Sequence, residues 1–182
     1  ANLPPRAHLH SFENEAQALD GDPEHSAYYQ PLDGNWKFRL FPKPAVLEAE
    51  VISQSLNDSS WESIEVPGNW TMQGHDRPHY TNVQMPFPDQ PPNIPEDNPT
   101  GVYRTHFHLP EDWTQRRILI HFGGVESAFF VFCNGKRVGF AKDSRTAAEF
   151  DLTPIVQKGM NQISVVVIRW SDGSHLEDQD HW

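Results

Sequence analysis

Hydrophobic and polar residues alternate along much of the chain with a period of two. The alternation runs through 36–40, 103–109 and 118–122, and a nearly continuous apolar run occupies 162–170. A period of two places successive side chains on opposite faces of a sheet, whereas an uninterrupted apolar run is typical of a strand covered on both faces. The pattern therefore predicts a protein built mainly of β-strands.

Turn residues separate these segments at short intervals. Asn134-Gly135 lies between the predicted β segments 127–133 and 136–140, and this dipeptide suits a two-residue hairpin turn because both residues tolerate positive φ. A short strand at 64–66 stops at Pro67-Gly68. Many short strands without a strand–helix–strand rhythm favour an all-β fold, namely a β-sandwich or a jelly roll.

Helical structure is predicted in three short places. Ser11 can cap a helix near the N-terminus, 45–54 reads as one short helix, and 150–156 reads as a single helical turn. The apolar face of the first helix consists of Phe12, Ala16 and Leu19.

The chain divides at residue 31. Residues 1–31 carry little apolar surface and are predicted to form an arm with one short helix that docks on the remainder, 32–182. Within that remainder, 71–101 is rich in proline and lacks periodicity, so it predicts a long loop. Long loops in compact domains are commonly functional or disordered, and the aromatic Tyr80 and Phe87 favour an ordered one.

Charge and composition exclude several classes of partner. The net charge is −11, from 14 basic and 25 acidic residues, which argues against binding to nucleic acid or to an anionic membrane surface. The single cysteine, Cys133, cannot form an internal disulfide, and no leader or long apolar stretch is visible. These features predict a cytoplasmic location.

The most unusual composition directly follows the apolar run 163–168. Four carboxylates and two indoles gather there, in Trp170, Asp172, Glu177, Asp178, Asp180 and Trp182. Carboxylates accept hydrogen bonds from hydroxyl groups and indoles cover C–H faces, so this combination suits a sugar. A solvated acidic turn after a core strand explains the same residues equally well.

Other catalytic chemistry has less support. His106 and His108 share one strand face, but no third ligand accompanies them, and a solvated face is the simpler interpretation. No Gly-x-Ser-x-Gly motif or glycine-rich phosphate loop occurs. The acidic cluster could contain a glycosidase pair, yet no apolar pocket is apparent that would raise the pKa of one member. A binding role is therefore the more economical interpretation.

Five motifs occur together in one order and carry a family resemblance. They are Pro67–Gly74 (PGNWTMQG), Tyr80–Val83 (YTNV), Asp97–Tyr103 (DNPTGVY), Phe132–Gly139 (FCNGKRVG) and Arg169–Ser174 (RWSDGS). From about Leu3 to Trp182 the chain resembles the N-terminal part of the large bacterial β-galactosidases of glycoside hydrolase family 2.

The resemblance implies a galactose-binding-domain-like jelly-roll packed against a separate TIM barrel, which carries the two glutamates of a retaining mechanism. It implies that Asn82 contacts sugar hydroxyls and that Asp172 binds a sodium ion and the galactosyl 6-hydroxyl. A carboxylate is a hard ligand for a hard cation, and an amide both donates to and accepts from a hydroxyl. Magnesium is expected in the full enzyme but outside this chain.

The resemblance further implies that the chain is the N-terminal fragment of a longer multidomain enzyme, inactive alone, whose partners are the remaining domains and a β-galactoside. The arm is expected to take part in homo-oligomer contacts, and the terminal acids Glu177, Asp178 and Asp180 to hold the domain against its neighbours. Two alternatives stay open: a free-standing carbohydrate-binding module, and a structural or assembly domain. The natural galactoside is not indicated.

Overall fold

The fold is an antiparallel β-sandwich, so the all-β prediction is confirmed. A computed structural model describes residues 2–6, 9–79 and 85–177. Within these ranges two short α-helices occur, α1 (Glu15–Asp20) and α2 (Ser174–Glu177). The strands are β1 (Gly34–Phe41), β2 (Glu62–Val66), β3 (Thr100–Leu109), β4 (Leu119–Phe122), β5 (Ala128–Cys133), β6 (Lys136–Lys142), β7 (Ala148–Asp151) and β8 (Gly159–Ile168).

Two sheets form the sandwich. The larger has the order β2-β1-β3-β8-β5-β6, and the smaller pairs β4 with β7. The two long central strands of the larger sheet, β3 and β8, pair along their whole length, from Thr100 opposite Ile168 to Leu109 opposite Gly159. The region where β8 ends is therefore held against the start of β3.

The apolar run of β8 is covered on both faces, as its sequence predicts. Val165 and Val167 belong to the main core between the sheets, together with Phe150 of β7. Val166 points the other way and packs with Trp61 in a second, smaller core. Because both faces exclude water, this strand has little need of polar alternation.

The predicted hairpin is also present. β5 and β6 are joined at Asn134 and Gly135, whose φ angles are 51° and 73°. Both residues therefore have the left-handed backbone conformation that an Asn-Gly turn requires. The adjacent Cys133 is buried, as expected of a small apolar side chain.

The predicted helix over 45–54 is wrong. The segment forms two separate 3-10 turns, Pro44–Val46 and Ala49–Ile52. The buried Arg104 holds the end of the segment, because its guanidinium donates to the carbonyls of Val51 (2.8 Å) and Ser53 (3.0 Å). The backbone between the two turns is extended at Leu47 and Glu48, and Leu47, Val51 and Ile52 pack against the smaller core, so tertiary packing overrides the helical pattern.

Two other helical predictions need correction. The first helix begins after Asn14, whose side chain accepts a first-turn N–H at 3.0 Å, rather than after Ser11. On its predicted apolar face, Ala16 and Leu19 are both exposed, the latter by 81%. In 150–156 the first residues continue β7, and only the turn after Asp151 is helical.

The arm docks on the smaller sheet and its neighbouring turn. The Leu3 amide donates to the carbonyl of Glu149 at 2.8 Å, and Arg6 pairs with the carboxylate of the same residue at 2.7 Å. Further along, the Trp113 indole donates to Ala27 O at 3.0 Å. The described residues of the arm are therefore attached near both of its ends, whereas the division of the chain at residue 31 stays a prediction.

Candidate functional site

The polar groups of the predicted sugar-binding segment begin where β8 ends. Asn98 is 2% exposed, and its amide makes two reciprocal bonds with the backbone of Trp170. Nδ2 donates to the Trp170 carbonyl at 2.8 Å, and Oδ1 accepts from the Trp170 N–H at 2.9 Å. The Arg169 N–H donates to Pro99 O at 3.0 Å. The β3–β8 pairing is thus prolonged past its last backbone ladder partners.

A tight turn then presents Asp172. The buried Ser171 and Ser174 bond to each other, with the Ser171 N–H donating to Ser174 Oγ at 3.1 Å and the Ser174 N–H to Ser171 O at 3.0 Å. Ser127 Oγ lies 2.8 Å from Ser171 Oγ and ties the turn to the start of β5. Because the hydroxyls of Ser171 and Ser174 are buried and hydrogen-bonded, the turn projects the Asp172 side chain toward solvent.

Asp172 pairs with Lys142, the last residue of β6. The ammonium donates to both carboxylate oxygens, at 2.6 and 2.8 Å, and the two side chains are 48% and 47% exposed. The hydrogen bond from Lys142 lowers the pKa of Asp172 below its ordinary value, so the group is ionised at neutral pH. It is therefore an anionic acceptor with exposed surface left for a ligand.

The long loop is ordered in its described part, because it packs on Trp170. The ring of Phe87 lies 5.2 Å from the Trp170 ring and that of His79 lies 5.9 Å from it, both edge-on. Phe87 also meets His175 of α2 at 5.4 Å, and the His175 ring is 2.8 Å from Asn93 O. The indole is consequently part of a packed cluster rather than an open platform.

Arg169 fixes the other side of the loop. Its guanidinium pairs with Asp76, donates to the carbonyl of Arg77 at 2.7 Å and reaches His79 Nδ1 at 2.5 Å. These contacts hold the loop as it approaches residues 80–84. The predicted site residue Asn82 lies outside the described residues, so its role stays a prediction.

The terminal acids are partly accounted for. Glu177 accepts from the N–H of Ser144 at 2.8 Å and from its hydroxyl at 2.6 Å, which ties α2 to the turn after β6. Its role within the chain is therefore to brace that turn beside Asp172. Asp178 and Asp180 lie outside the described residues.

Among the described residues, Asp172 does not belong to a cluster of acidic, histidine or cysteine side chains. Across 2–6, 9–79 and 85–177 no group of three or more His, Cys, Asp or Glu side chains could hold a metal ion. His106 and His108 are both exposed on β3, as the interpretation of a solvated face expects. Both oxygens of Asp172 already accept from the ammonium of Lys142, which occupies the side of the carboxylate that it meets.

An open cleft lies between the two sheets. This open cleft has a volume of about 1740 Å³ and is lined by apolar side chains that include Trp36, Tyr103 and Ile120. Burial raises the pKa of the Tyr103 phenol above its ordinary value. Neither Asp172 nor Lys142 lines the cleft, but Arg169 and Trp170 do, so the cleft reaches the segment that leads to the carboxylate. Among the helices that the structure describes, none has the length and apolarity needed to cross a bilayer.

Comparison with known proteins identifies the family. Residues 29–182 match the family described as "Glycosyl hydrolases family 2, sugar binding domain". The chain therefore belongs to glycosyl hydrolase family 2, as a sugar-binding domain of that family.

Similar proteins extend this result. The chain is 51% identical over 176 residues to a β-galactosidase of Psychromonas ingrahamii and 50% identical over 179 residues to one of Vibrio cholerae. These alignments cover 97% and 98% of the chain but 17% of each relative. The chain thus spans about a sixth of the length of those enzymes.

Solved structures share the fold. A β-glucuronidase of Bifidobacterium dentium superposes on 76% of the chain with a TM-score of 0.57 and 24% identity, covering 19% of that protein. A β-glucuronidase of Ruminococcus gnavus superposes on 77% of the chain, with the same TM-score and 21% identity, covering 21% of that protein. At this level of identity the likeness concerns the fold.

Two residues of the site are absent from the sequence-based prediction. Asn98 lies inside a motif that carries the resemblance, and an asparagine directly before a proline and a strand is a signal for a capping side chain. Lys142 has no comparable signal, because its position beside Asp172 depends on how β6 and the turn after β8 come together.

Proposed function

We propose that this chain is the N-terminal domain of an enzyme that hydrolyses terminal β-D-galactosides, lactose-like in kind, by a retaining mechanism. In this proposal the domain lends Asp172 and Asn82 to a galactose pocket that a TIM barrel in the remainder of the enzyme completes. The observation that carries it is the ionised, half-exposed Asp172 on a braced turn. Relatives that are about 50% identical and named β-galactosidase support the substrate class.

The chemistry of the domain is binding rather than bond cleavage. The Asp172 carboxylate accepts a hydrogen bond from a sugar hydroxyl, for which the resemblance implies the galactosyl 6-hydroxyl. Lys142 keeps the carboxylate ionised and limits its rotation. The Asn82 amide, as donor and acceptor, contacts further hydroxyls. The acid/base and nucleophile are expected in the barrel, so the chain alone should be inactive.

The sodium ion implied by the resemblance remains a prediction for the full-length enzyme. Sodium at Asp172 would bind the exposed part of the carboxylate beside the Lys142 ammonium and would need further oxygen ligands. A sodium titration of galactoside hydrolysis tests this role. Magnesium in the remaining domains and a cytoplasmic location likewise remain predictions.

Replacing Asp172 in the full-length enzyme tests the proposal. Asp172→Asn removes one charge-assisted hydrogen bond, worth about 1.5–3 kcal/mol, so kcat/KM for an aryl β-galactoside should fall roughly tenfold or more. Asp151→Asn is the matched control, because Asp151 pairs with Arg117 at 2.8 Å on the smaller sheet. If both variants keep the kinetics of the unmodified enzyme, Asp172 does not bind substrate.

A mixing experiment tests whether hydrolysis requires the remainder of the enzyme. The chain alone and the chain mixed with the remainder of its enzyme are assayed on a chromogenic β-galactoside. Activity only on mixing supports a site completed elsewhere. Hydrolysis by the chain alone would refute the assignment of the chemistry to the barrel.

An assembly role for the arm is the second candidate. Leu9 and Leu19 are exposed by 76% and 81%, so both side chains are accessible to an apolar contact with another subunit. We propose that the arm contacts another subunit of a homo-oligomer. Deleting 1–31 from the full-length enzyme should lower the number of subunits that its mass in solution indicates, and an unchanged number of subunits would rule this role out.

A further inference from the structure

All four hydrogen-bonding groups of the buried Asn98 are occupied. Its side chain engages both backbone groups of Trp170, at 2.8 and 2.9 Å. Its own N–H donates to Pro42 O at 3.1 Å, and its carbonyl accepts from the hydroxyl of Thr100 at 3.0 Å. A side chain held at this many points has a single orientation, so it transmits that orientation to whatever it binds.

The position of this side chain in the fold is specific. The β3–β8 ladder ends at Thr100 opposite Ile168, and the chain must then leave the sheet to reach the turn that carries Asp172. A carboxamide has the same donor and acceptor as a peptide group, so Asn98 pairs with Trp170 as an additional strand residue would. Trp170 is thereby fixed two residues before Asp172.

We propose that Asn98 is a positioning residue for Asp172. This inference rests on the proposed function, because it assigns Asn98 a role in the binding of the galactosyl 6-hydroxyl. Asn98 acts through the backbone of Trp170 and makes no contact with the sugar. Lys142 restrains the carboxylate from the side of β6, and Asn98 fixes the backbone that carries it.

Removing the carboxamide should therefore change binding at Asp172. Asn98→Ala leaves the N–H and C=O of Trp170 without their partners, and the segment must shift to satisfy them with water or other groups. A displacement of about 1 Å at a binding group is enough to cost up to a hundredfold in rate. We expect kcat/KM for a galactoside to fall roughly ten- to a hundredfold.

Asn161 provides a matched control. It is also buried, and its side chain makes several bonds, accepting from the N–H of Gln157 at 2.8 Å and donating to the Gln157 carbonyl at 2.7 Å. It lies near the start of β8, whereas Trp170 follows the end of that strand, about 30 Å away at the rise of an extended chain. Asn161→Ala should disturb the fold comparably without reaching the site.

The test compares two substrates in the full-length enzyme. An aryl β-D-galactoside and the aryl β-D-fucoside of the same leaving group differ only in the 6-hydroxyl. The ratio of their kcat/KM values does not depend on how much of a variant is folded, so loss of stability cannot imitate the effect. Asn98→Ala should lower the ratio about tenfold or more, as Asp172→Asn does, and Asn161→Ala should leave it unchanged.

The double variant Asn98→Ala/Asp172→Asn completes the test. If Asn98 acts through Asp172, the double variant has the same ratio as Asp172→Asn alone. Independent effects that multiply would overturn the inference. Should Asn98→Ala give too little active enzyme, Asn98→Ser, which keeps a small hydroxyl in the buried site, is measured in the same way.

Two failures are distinguishable. A ratio that Asp172→Asn does not change means that this carboxylate does not bind the 6-hydroxyl, and the proposed function fails. A ratio changed by Asp172→Asn but not by Asn98→Ala means that only the positioning role is wrong.

Discussion

Removing Asp58 from its ion pair with the buried Arg104 should strongly destabilise the 182-residue chain. Arg104 is 1% exposed, and its Nε lies 2.8 Å from Asp58 Oδ2. The same guanidinium bonds the carbonyls of Val51 and Ser53, so it also fastens the 3-10 turns over the outer face of the larger sheet. Asp58→Ala removes the only carboxylate recorded in contact with this buried cation among the described residues.

Burial determines the size of the effect. Removing one partner of a buried pair leaves an uncompensated charge and costs about 3–5 kcal/mol. The exposed pair between Lys158 and Glu111 has a similar length, 2.6 Å, but its side chains are 65% and 75% exposed. Exposed pairs contribute about 0–1 kcal/mol, so Glu111→Ala is the matched control.

Urea unfolding followed by tryptophan fluorescence measures both variants. We expect Asp58→Ala to lower the free energy of unfolding by about 3–5 kcal/mol. Added salt should reduce the small effect of Glu111→Ala and leave that of Asp58→Ala nearly unchanged, because a buried pair is screened less. Losses that agree within about 1 kcal/mol would refute the reasoning.

Three further predictions follow from individual contacts. Gly101→Ala should lower the free energy of unfolding in urea by about 1–3 kcal/mol, because the new Cβ would lie 2.6 Å from the Trp70 ring. Gly123→Ala is the control, since its Cβ would meet nothing within 4 Å, and equal urea midpoints for the two variants would contradict the prediction. Burial raises the pKa of the Cys133 thiol to about 11, so alkylation at pH 8 should require unfolding, and labelling of the native chain would be the opposing result. The hydrogen bond to Asp20 raises the pKa of His25. The pair therefore stabilises the arm fully at pH values below the ordinary histidine pKa, and this contribution is lost as the pH rises through the raised pKa. An NMR titration of His25 should show the raised pKa, and Asp20→Asn should return that pKa toward its ordinary value.

Local sequence signals were sufficient where the structure depends on neighbours in the chain. The Asn134-Gly135 hairpin follows from the backbone preference of two residues, and the burial of β8 follows from its apolar run. Both depend on the conformational and solvation preferences of the residues themselves. Such features are therefore readable from a single sequence.

The helix predicted over 45–54 failed because its outcome depends on residues far along the chain. The segment forms two turns whose apolar side chains pack against the core of Trp61, Val102 and Val166. The predicted apolar face with Leu19 failed for a similar reason, since the arm is held at Leu3, Arg6 and Ala27 rather than by that helix. Periodicity describes a segment, but it does not state what the segment packs against.

The site was predictable in part. Asp172 was singled out by its motif, and its partner Lys142 was not, because the pairing arises from the packing of β6 against the turn after β8. The motif that contains Asn98 was noticed as a mark of family. Its physical role becomes visible only when the Trp170 backbone is seen to meet its carboxamide.

The environment of the hairpin turn bears on how the protein ages chemically. An asparagine before glycine deamidates readily when its side-chain carbonyl is free to meet the next backbone nitrogen, and asparagine counts among the thermolabile residues. Here Asn134 Oδ1 accepts from Gln54 Nε2 and the Gln162 N–H, both at 2.9 Å, and Nδ2 donates to Asn161 Oδ1 at 2.8 Å. Cyclisation would have to break these bonds, so the folded turn protects Asn134 from deamidation. Deamidation during storage should therefore begin in molecules whose hairpin turn has unfolded.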